Sequence, residues 1–254
     1  MTIIEKEPEK AKEMGIAKYP LCVFSNGVPM KRVKEKETFA IAINPQIYLH
    51  YLLTRAKTLG AQTITATLST LPSFLHDIHH TIPPIAHHPA SLIVNCTGLG
   101  AKSLCSDTNM YSIRGQTLLA RLHPSPAQQK VRIHKEPNKV TYVIPRVGTV
   151  SFVLGGTMTE NAYEADPDPE ISRGIVERCG KLLDRGEGVR IEVLAEQVGL
   201  RPGRRGGARV EIEEVGEDGR TWTVVHCYGN GGEGFQHSIG VAGKVLELVR
   251  GACG

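Results

Sequence analysis

Guanidinium groups crowd one short stretch, Arg201-Pro202-Gly203-Arg204-Arg205-Gly206-Gly207-Ala208-Arg209. Arg201 is the sharpest of them, because the proline after it restricts its backbone and a planar fork of N–H donors suits a carboxylate. A structural ion pair is the plain alternative. RNA binding through Arg204, Arg205 and Arg209 is another, since Arg-Gly-Gly segments bind RNA, but the run occurs once and lacks interleaved aromatics. The glycine-rich run Gly229-Asn230-Gly231-Gly232-Glu233-Gly234 falls between a β-like run and a helical pattern. Without side chains its N–H groups can approach a ligand, and a helix N-terminus favours negative charge there. An electron-rich ring or an oxyanion would fit; a simple capping turn would give the same pattern.

Other candidates are weaker. Tyr142 sits at the end of a β-like run, where its hydroxyl could reach a substrate or its ring could simply pack. Gly98-Leu99-Gly100-Ala101-Lys102-Ser103 resembles a dinucleotide-binding turn but lacks the third glycine. His76, His79, His80, His87 and His88 lie close together, and His76 with His80 has the spacing of a helical zinc pair. The prolines between them and the lack of a nearby Glu or Cys ligand predict a solvated loop instead, so no metal site is expected. The six cysteines form no C-x-x-C pair and read as reduced. No Ser/His/Asp or paired-carboxylate constellation is visible.

The elements that must hold these residues can be read from pattern. Asn44-Pro45 is a helix-start signal, and Ile47, Leu49, Leu52, Leu53, Ala56 and Leu59 continue it at near-helical spacing until Gly60. Gln62 to Leu68 predicts a strand, and the apolar run Ser91 to Cys96 predicts one covered on both faces. Runs at 115–122, 131–134, 140–144 and 150–155 predict an antiparallel sheet. Asp168-Pro169-Glu170 opens a helix carrying Ile171, Ile175, Cys179, Leu182 and Leu183. Extended runs return at 189–198, 208–215 and 221–227, and the final helix carries Val241, Val245, Leu248 and Val249.

With 254 residues, 41% hydrophobic and 22% charged, the composition is that of a globular chain. A net charge of +4 gives no support to a polyanion partner, so no nucleic acid is expected. The apolar runs fall far short of the roughly 20 residues that span a bilayer, so no membrane partner is expected either. The N-terminus lacks a secretory pattern, and the closing Gly-Ala-Cys-Gly matches no peroxisomal signal. An intracellular, peroxisomal or cytoplasmic, protein is the expectation.

Six segments stand in a particular order: Asn95-Cys96-Thr97-Gly98-Leu99-Gly100-Ala101-Lys102-Ser103, Arg114-Gly115-Gln116-Thr117, Tyr142-Val143-Ile144-Pro145-Arg146, Gly155-Gly156-Thr157, Val198-Gly199-Leu200-Arg201-Pro202, and His226-Cys227-Tyr228-Gly229 through Gly234-Phe235-Gln236. Together they resemble the D-amino-acid oxidase family of FAD-dependent oxidoreductases, its fungal members especially, from about residue 38 to 250. The resemblance implies an α/β fold: an incomplete FAD-binding Rossmann-like layer with an interleaved, mainly antiparallel β substrate domain. The expected division is a poorly specified segment and first β-run at 1–43, part of the FAD-binding domain at 44–110, the substrate-binding domain at 111–198, the C-terminal part of the FAD-binding domain at 199–250 and a tail at 251–254.

What the resemblance implies chemically is oxidation of a D-amino acid to an imino acid by hydride transfer to flavin. Molecular oxygen then yields hydrogen peroxide, and hydrolysis yields a 2-oxo acid and ammonia. Arg201 matches the arginine that clamps the substrate carboxylate, Tyr142 the tyrosine that orients it, and Gly232 a position near the amino group. FAD contacts are implied for Leu68, Thr97, Gly98, Gly231, Gly232, Glu233, Gly234, Phe235 and Gln236. In such enzymes catalysis is orientation and electrostatics, with no side-chain base. A homodimer is one assembly the resemblance allows.

Two departures stand out. Met158 replaces a tyrosine that fungal relatives often carry after Gly-Gly-Thr. Nothing in residues 1–60 supplies the first strand and glycine turn that seat the FAD pyrophosphate, so the sequence reads as a family member missing its N-terminal part. A catalytically silent remnant acting as a binding module is the alternative expectation.

Overall fold

Alternation of apolar side chains builds the larger part of the molecule. Between residues 118 and 123, Leu118, Ala120 and Leu122 are buried while Leu119, Arg121 and His123 are not, the period of a pleated strand. The computed structural model describes residues 3–25, 28–29, 38–76, 92–136, 139–183, 188–217 and 219–253. In chain order its elements are α1 (Ile3–Lys6), α2 (Pro8–Glu13), β1 (Ile16–Ser25), β2 (Val28–Pro29), β3 (Phe39–Ile43), α3 (Pro45–Thr58), α4 (Leu71–His76), β4 (Leu92–Asn95), a 3-10 turn (Gly98–Gly100), α5 (Ala101–Leu104), β5 (Met110–His123), β6 (Val131–Glu136), β7 (Lys139–Pro145), β8 (Phe152–Gly155), β9 (Thr159–Glu160), α6 (Pro169–Leu183), β10 (Arg190–Arg204), β11 (Arg209–Glu217), β12 (Arg220–Tyr228), a second 3-10 turn (Gly231–Glu233) and α7 (Gly234–Cys253).

The chain divides into two units. Unit 1 comprises Met1–Ala61, Arg114–Thr159 and Glu164–Gly199. Its sheet has the strand order β10-β5-β8-β7-β6-β1-β2, with β3 added on β1 and β9 on β5. The pairs β6/β7, β7/β8 and β5/β8 are antiparallel, as the run spacing predicts, and β1/β6 is parallel. Helix α6 starts where Asp168 accepts the N–H groups of Glu170 and Ile171, at 2.8 and 3.4 Å. Its buried Ile175, Cys179, Leu182 and Leu183 join Phe24, Leu118, Val143, Phe152 and Leu154 in one core.

The stretch before residue 38 holds more structure than its composition discloses. Strand β1 pairs Ile16–Pro20 with β3 and Leu21–Phe24 with β6, more than a hundred residues away in sequence. Partners that distant leave no mark on local periodicity. Helix α3 starts as its sequence predicts: Asn44 accepts from Gln46 N at 3.3 Å and also donates to Val147 O at 2.9 Å. Its expected core face is nevertheless mostly open. Leu49, Leu52, Leu53 and Leu59 are exposed, and Tyr48, off that stripe, is the buried residue. Met14 and Ile16 share a core with Tyr48, so the contacts of this side of the helix decide what is covered.

Unit 2 comprises Gln62–Ile113, Glu160–Tyr163 and Leu200–Gly254. It contains a three-stranded sheet of order β11-β12-β4, antiparallel at β11/β12 and parallel at β12/β4. Leu71 and Leu75 of α4, Leu104 of α5, and Trp222 and Val224 of β12 form its apolar core. Two expectations are corrected here. The segment 62–68 is an exposed, irregular stretch with no strand partner among the described residues. The strand near residue 93 is not covered on both faces by the described residues: Val94 is exposed, and Asn95 is its buried residue. Apolar composition reported strand propensity correctly and coverage incorrectly, because coverage depends on what packs against the strand.

Candidate active site

Three segments of unit 2 meet around Arg201. Gly232 comes so close to this arginine that a Cβ there would lie 3.2 Å from Arg201 Cδ and 3.6 Å from Nε. Gly98, with φ +58°, stands beside Pro202, whose Cβ would be 3.8 Å from an added Cβ. At Gly229, with φ +85°, a side chain would meet Arg204 Cβ at 2.7 Å, so both backbone sign and space require glycine. The turn after β4, the end of β10 and the glycine turn before α7 are thereby neighbours. Gly231–Glu233 forms a tight 3-10 turn leading directly into α7. Thr97, Gly232, Phe235 and Gln236 are exposed, and Arg201 is half-buried.

The turn at Thr97 is shaped by its neighbour. Asn95 Oδ1 accepts both the Thr97 N–H at 3.1 Å and the Thr97 hydroxyl at 2.7 Å. Such an Asx arrangement sets the direction in which the chain leaves β4. Two arginines of the run, Arg204 and Arg209, are neutralised internally. Arg204 Nε donates to Asp107 Oδ2 at 2.8 Å, and Arg209 donates to Glu211, Glu213 and the Tyr228 hydroxyl at 2.6, 2.9 and 3.0 Å. Arg205 lies over the Tyr111 ring, 5.3 Å from its centroid. Guanidinium groups spent on carboxylates are poorly placed to take up RNA phosphates.

Tyr142 belongs to unit 1. It pairs with Gly155 across β7 and β8, and its ring covers the Gly155-Gly156 backbone. A Cβ at Gly155 would fall 2.3 Å from Tyr142 Cζ, so the glycines exist to admit the ring. Arg114 and Gln116 of the same family-like segments serve as braces. Arg114 donates to the Glu164 and Asp166 carbonyls at 2.8 and 2.6 Å. Gln116 donates to Asp168 O and Ser172 Oγ at 2.7 and 2.8 Å, fastening the connection into α6. Met158 is exposed.

Thus Arg201, Gly231, Gly232, Thr97 and Gly98 are brought together in unit 2, with Glu233, Gly234, Phe235 and Gln236 continuing from the same turn. Leu68 lies on the exposed 61–70 stretch. His79, His80, His87 and His88 lie outside the described residues, and among the described residues no cluster could hold a metal ion. No helix among them is long and apolar enough to cross a membrane. Burial pushes the thiols of Cys96 and Cys179 up to about 11, so both stay protonated at neutral pH. Asp107, Glu213, His226 and Tyr228 were missed as partners by sequence reasoning. A polar Asn95 or His226 inside an apolar run is the signal that could have flagged them.

Comparison with known proteins places the chain in a class. The family model for FAD dependent oxidoreductase matches residues 38–248. The D-amino-acid oxidase of Fusarium vanettenii is 33% identical over 84% of this chain and 58% of its own length. That of Rubrobacter xylanophilus is 36% identical over 81% and 56%, and the D-aspartate oxidase of Homo sapiens is 32% identical over 80% and 53%. The chain therefore spans a little over half the length of these relatives. Among solved structures, iminodiacetate oxidase from Chelativorans sp. BNC1 aligns with a TM-score of 0.60 at 13% identity, over 98% of this chain and 67% of that one. Glycine oxidase from Geobacillus kaustophilus aligns at 0.51 with 20% identity, over 63% and 42%. These two likenesses establish shared fold. This chain belongs to the D-amino-acid oxidase family of FAD-dependent oxidoreductases, and the cofactor of that family is FAD. The turn opening α7, where Gly232 presents no side chain toward Arg201, suits a flat electron-rich ring with an anionic edge.

Proposed function

We propose that the chain takes part in flavin-dependent oxidative deamination of D-amino acids, giving a 2-oxo acid, ammonia and hydrogen peroxide with molecular oxygen as acceptor. The observation that carries this reading is the adjacency of Arg201 to Gly232, which sets a carboxylate-binding guanidinium beside a turn suited to the flavin ring. When bound, FAD supplies the acceptor for the hydride leaving the substrate α-carbon. Thr97, Gly98 and the segment Gly231 to Gln236 would hold it, with Leu68 a further contact by motif. Arg201 binds the substrate carboxylate in a fork of donors and so fixes which face of the α-carbon is presented. For Tyr142 the motif implies a hydroxyl that orients a substrate carboxylate. The α7 N-terminus favours negative charge at the flavin's edge. No general base is needed from the chain, since orientation and charge stabilisation supply the catalysis.

Absorbance of the purified, FAD-treated protein tests the reading first: retained flavin bands and peroxide release with D-alanine are expected. Colourless protein that takes up no FAD would instead favour the silent binding module. With flavin bound, Arg201→Ala should raise KM for D-alanine about 30-fold or more, the factor for a carboxylate contact worth about 2 kcal/mol. Unchanged saturation kinetics would remove Arg201 from this role.

A further inference from the structure

A line of polar side chains crosses unit 2 beneath the turn at Thr97, and its hydrogen-bond polarity is dictated from one end. A backbone N–H can only donate, so the atom of Asn95 that receives Thr97 N must be the carbonyl oxygen, at 3.1 Å. The amide nitrogen of Asn95 is then left to donate, to Cys105 Sγ at 3.0 Å and to His226 Nδ1 at 3.1 Å. A ring nitrogen that accepts carries no proton. His226 must therefore hold its proton on Nε2, which donates to Glu213 Oε2 at 2.8 Å. Its side chain has no exposed surface, and burial, with the positive charge of Arg209 nearby, holds the imidazole below its ordinary range despite Glu213. The ring is neutral at pH 7.

The same carboxylate carries the line onward. Glu213 Oε2 also accepts from Arg209 at 2.9 Å, and Arg209 donates to the Tyr228 hydroxyl at 3.0 Å. That hydroxyl donates to Asp107 Oδ2 at 3.0 Å, the oxygen that also receives Arg204 Nε at 2.8 Å. Arg204 ends the strand that carries Arg201. Strand register makes the line possible: His226 is paired with Asn95 across β12/β4, and Tyr228 with Arg209 across β11/β12.

We propose that His226 is a positioning residue: by accepting from Asn95 and donating to Glu213 it holds the Thr97 turn in its flavin-binding orientation and ties that turn to the strand end bearing Arg201. This rests on the functional reading above only in assigning flavin to the turn. His226→Phe keeps a ring but removes both bonds, whereas His226→Gln restores an acceptor and a donor. In the flavin-free protein, Thr97 N–H exchange measured by NMR should quicken about tenfold in His226→Phe and recover in His226→Gln, the factor for one lost hydrogen bond. FAD affinity, read by quenching of flavin fluorescence, should fall and recover in the same order.

The imidazole nitrogen spectrum of the wild type should show a neutral Nε2–H ring for His226. Should His226→Phe fail to fold, Asn95→Asp serves: it still receives Thr97 N–H but offers no donor to Nδ1, so the His226 ring should become a cation at neutral pH. Unaltered Thr97 exchange in a folded His226→Phe protein, a wild-type Nδ1–H ring, or a neutral ring in Asn95→Asp each overturns the proposal. If the wild type takes up no FAD, the functional reading fails, and the exchange and tautomer results decide the positioning role by themselves.

Discussion

Helix α6 of unit 1 and helix α7 of unit 2 are both long, and they are held in different ways. Five residues of α6 are buried, Ile175 and Cys179 completely, against a sheet whose Leu118, Val143 and Leu154 have no exposed surface. Helix α7 buries none, and Ile239 and Leu246 on it are exposed at 67% and 47%. Among the described residues, what holds unit 2 is two small apolar clusters, one around Trp222 and one of Ala101, Met110 and Tyr228, together with the polar line from Thr97 to Arg204. A core of aliphatic side chains is tolerant of direction, whereas hydrogen-bonded lines define direction. The contrast is one of holding forces, apolar packing in unit 1 and directed hydrogen bonds around the ligand-facing turn of unit 2.

The contrast can be broken most forcefully in unit 1. Leu154→Ala should cost about 3 kcal/mol in urea denaturation followed by far-UV circular dichroism, because it empties a fully enclosed position. A loss below about 1 kcal/mol would mean that this core is looser than its burial implies. In unit 2 the corresponding probe is electrostatic. Burial alone would raise the Asp107 carboxyl, but hydrogen bonds from Arg204, Tyr228 and Asn109 N outweigh it and hold it below the ordinary carboxylate range. A depressed folded value stabilises above the unfolded pKa of about 3.9, and that contribution is lost as pH falls through the folded value. Asp107→Asn should therefore cost about 1 to 3 kcal/mol at pH 7, read by the fluorescence of Trp222, with the difference from wild type shrinking below about pH 3.9. A gap independent of pH would detach Asp107 from the charge network. The smallest effect is expected on α7: Ile239→Lys should change stability by no more than about 0.5 kcal/mol by the same fluorescence measurement. A larger loss would show that α7 relies on apolar contacts its exposure does not reveal.

Much of unit 1 was legible because its signals are local. The β-like runs at 140–144 and 150–155 and the Asp168-Pro169 start of α6 need only neighbours along the chain to be read. Strand β1 was not legible, since its partners β3 and β6 come later in the chain and β6 more than a hundred residues later. The stripe on α3 was legible as a helix and misleading as a core, because spacing reveals amphipathicity but not what covers it. At the site, residue type alone singled out Arg201 and the glycine turn. Their adjacency, the Thr97 turn and the internal pairing of Arg204 and Arg209 required coordinates.

The order of motifs and the chemistry of Arg201, Tyr142 and the glycine turn are properties of the sequence by itself, because guanidinium donors and bare amides keep their character wherever they are placed. Only the tertiary structure decided that Asn95, His226, Glu213, Arg209, Tyr228 and Asp107 form one connected line. The physical reason is that strand register, a long-range choice among pairings, brings residues 95 and 226 face to face, and a hydrogen bond needs its donor and acceptor within about 3.5 Å.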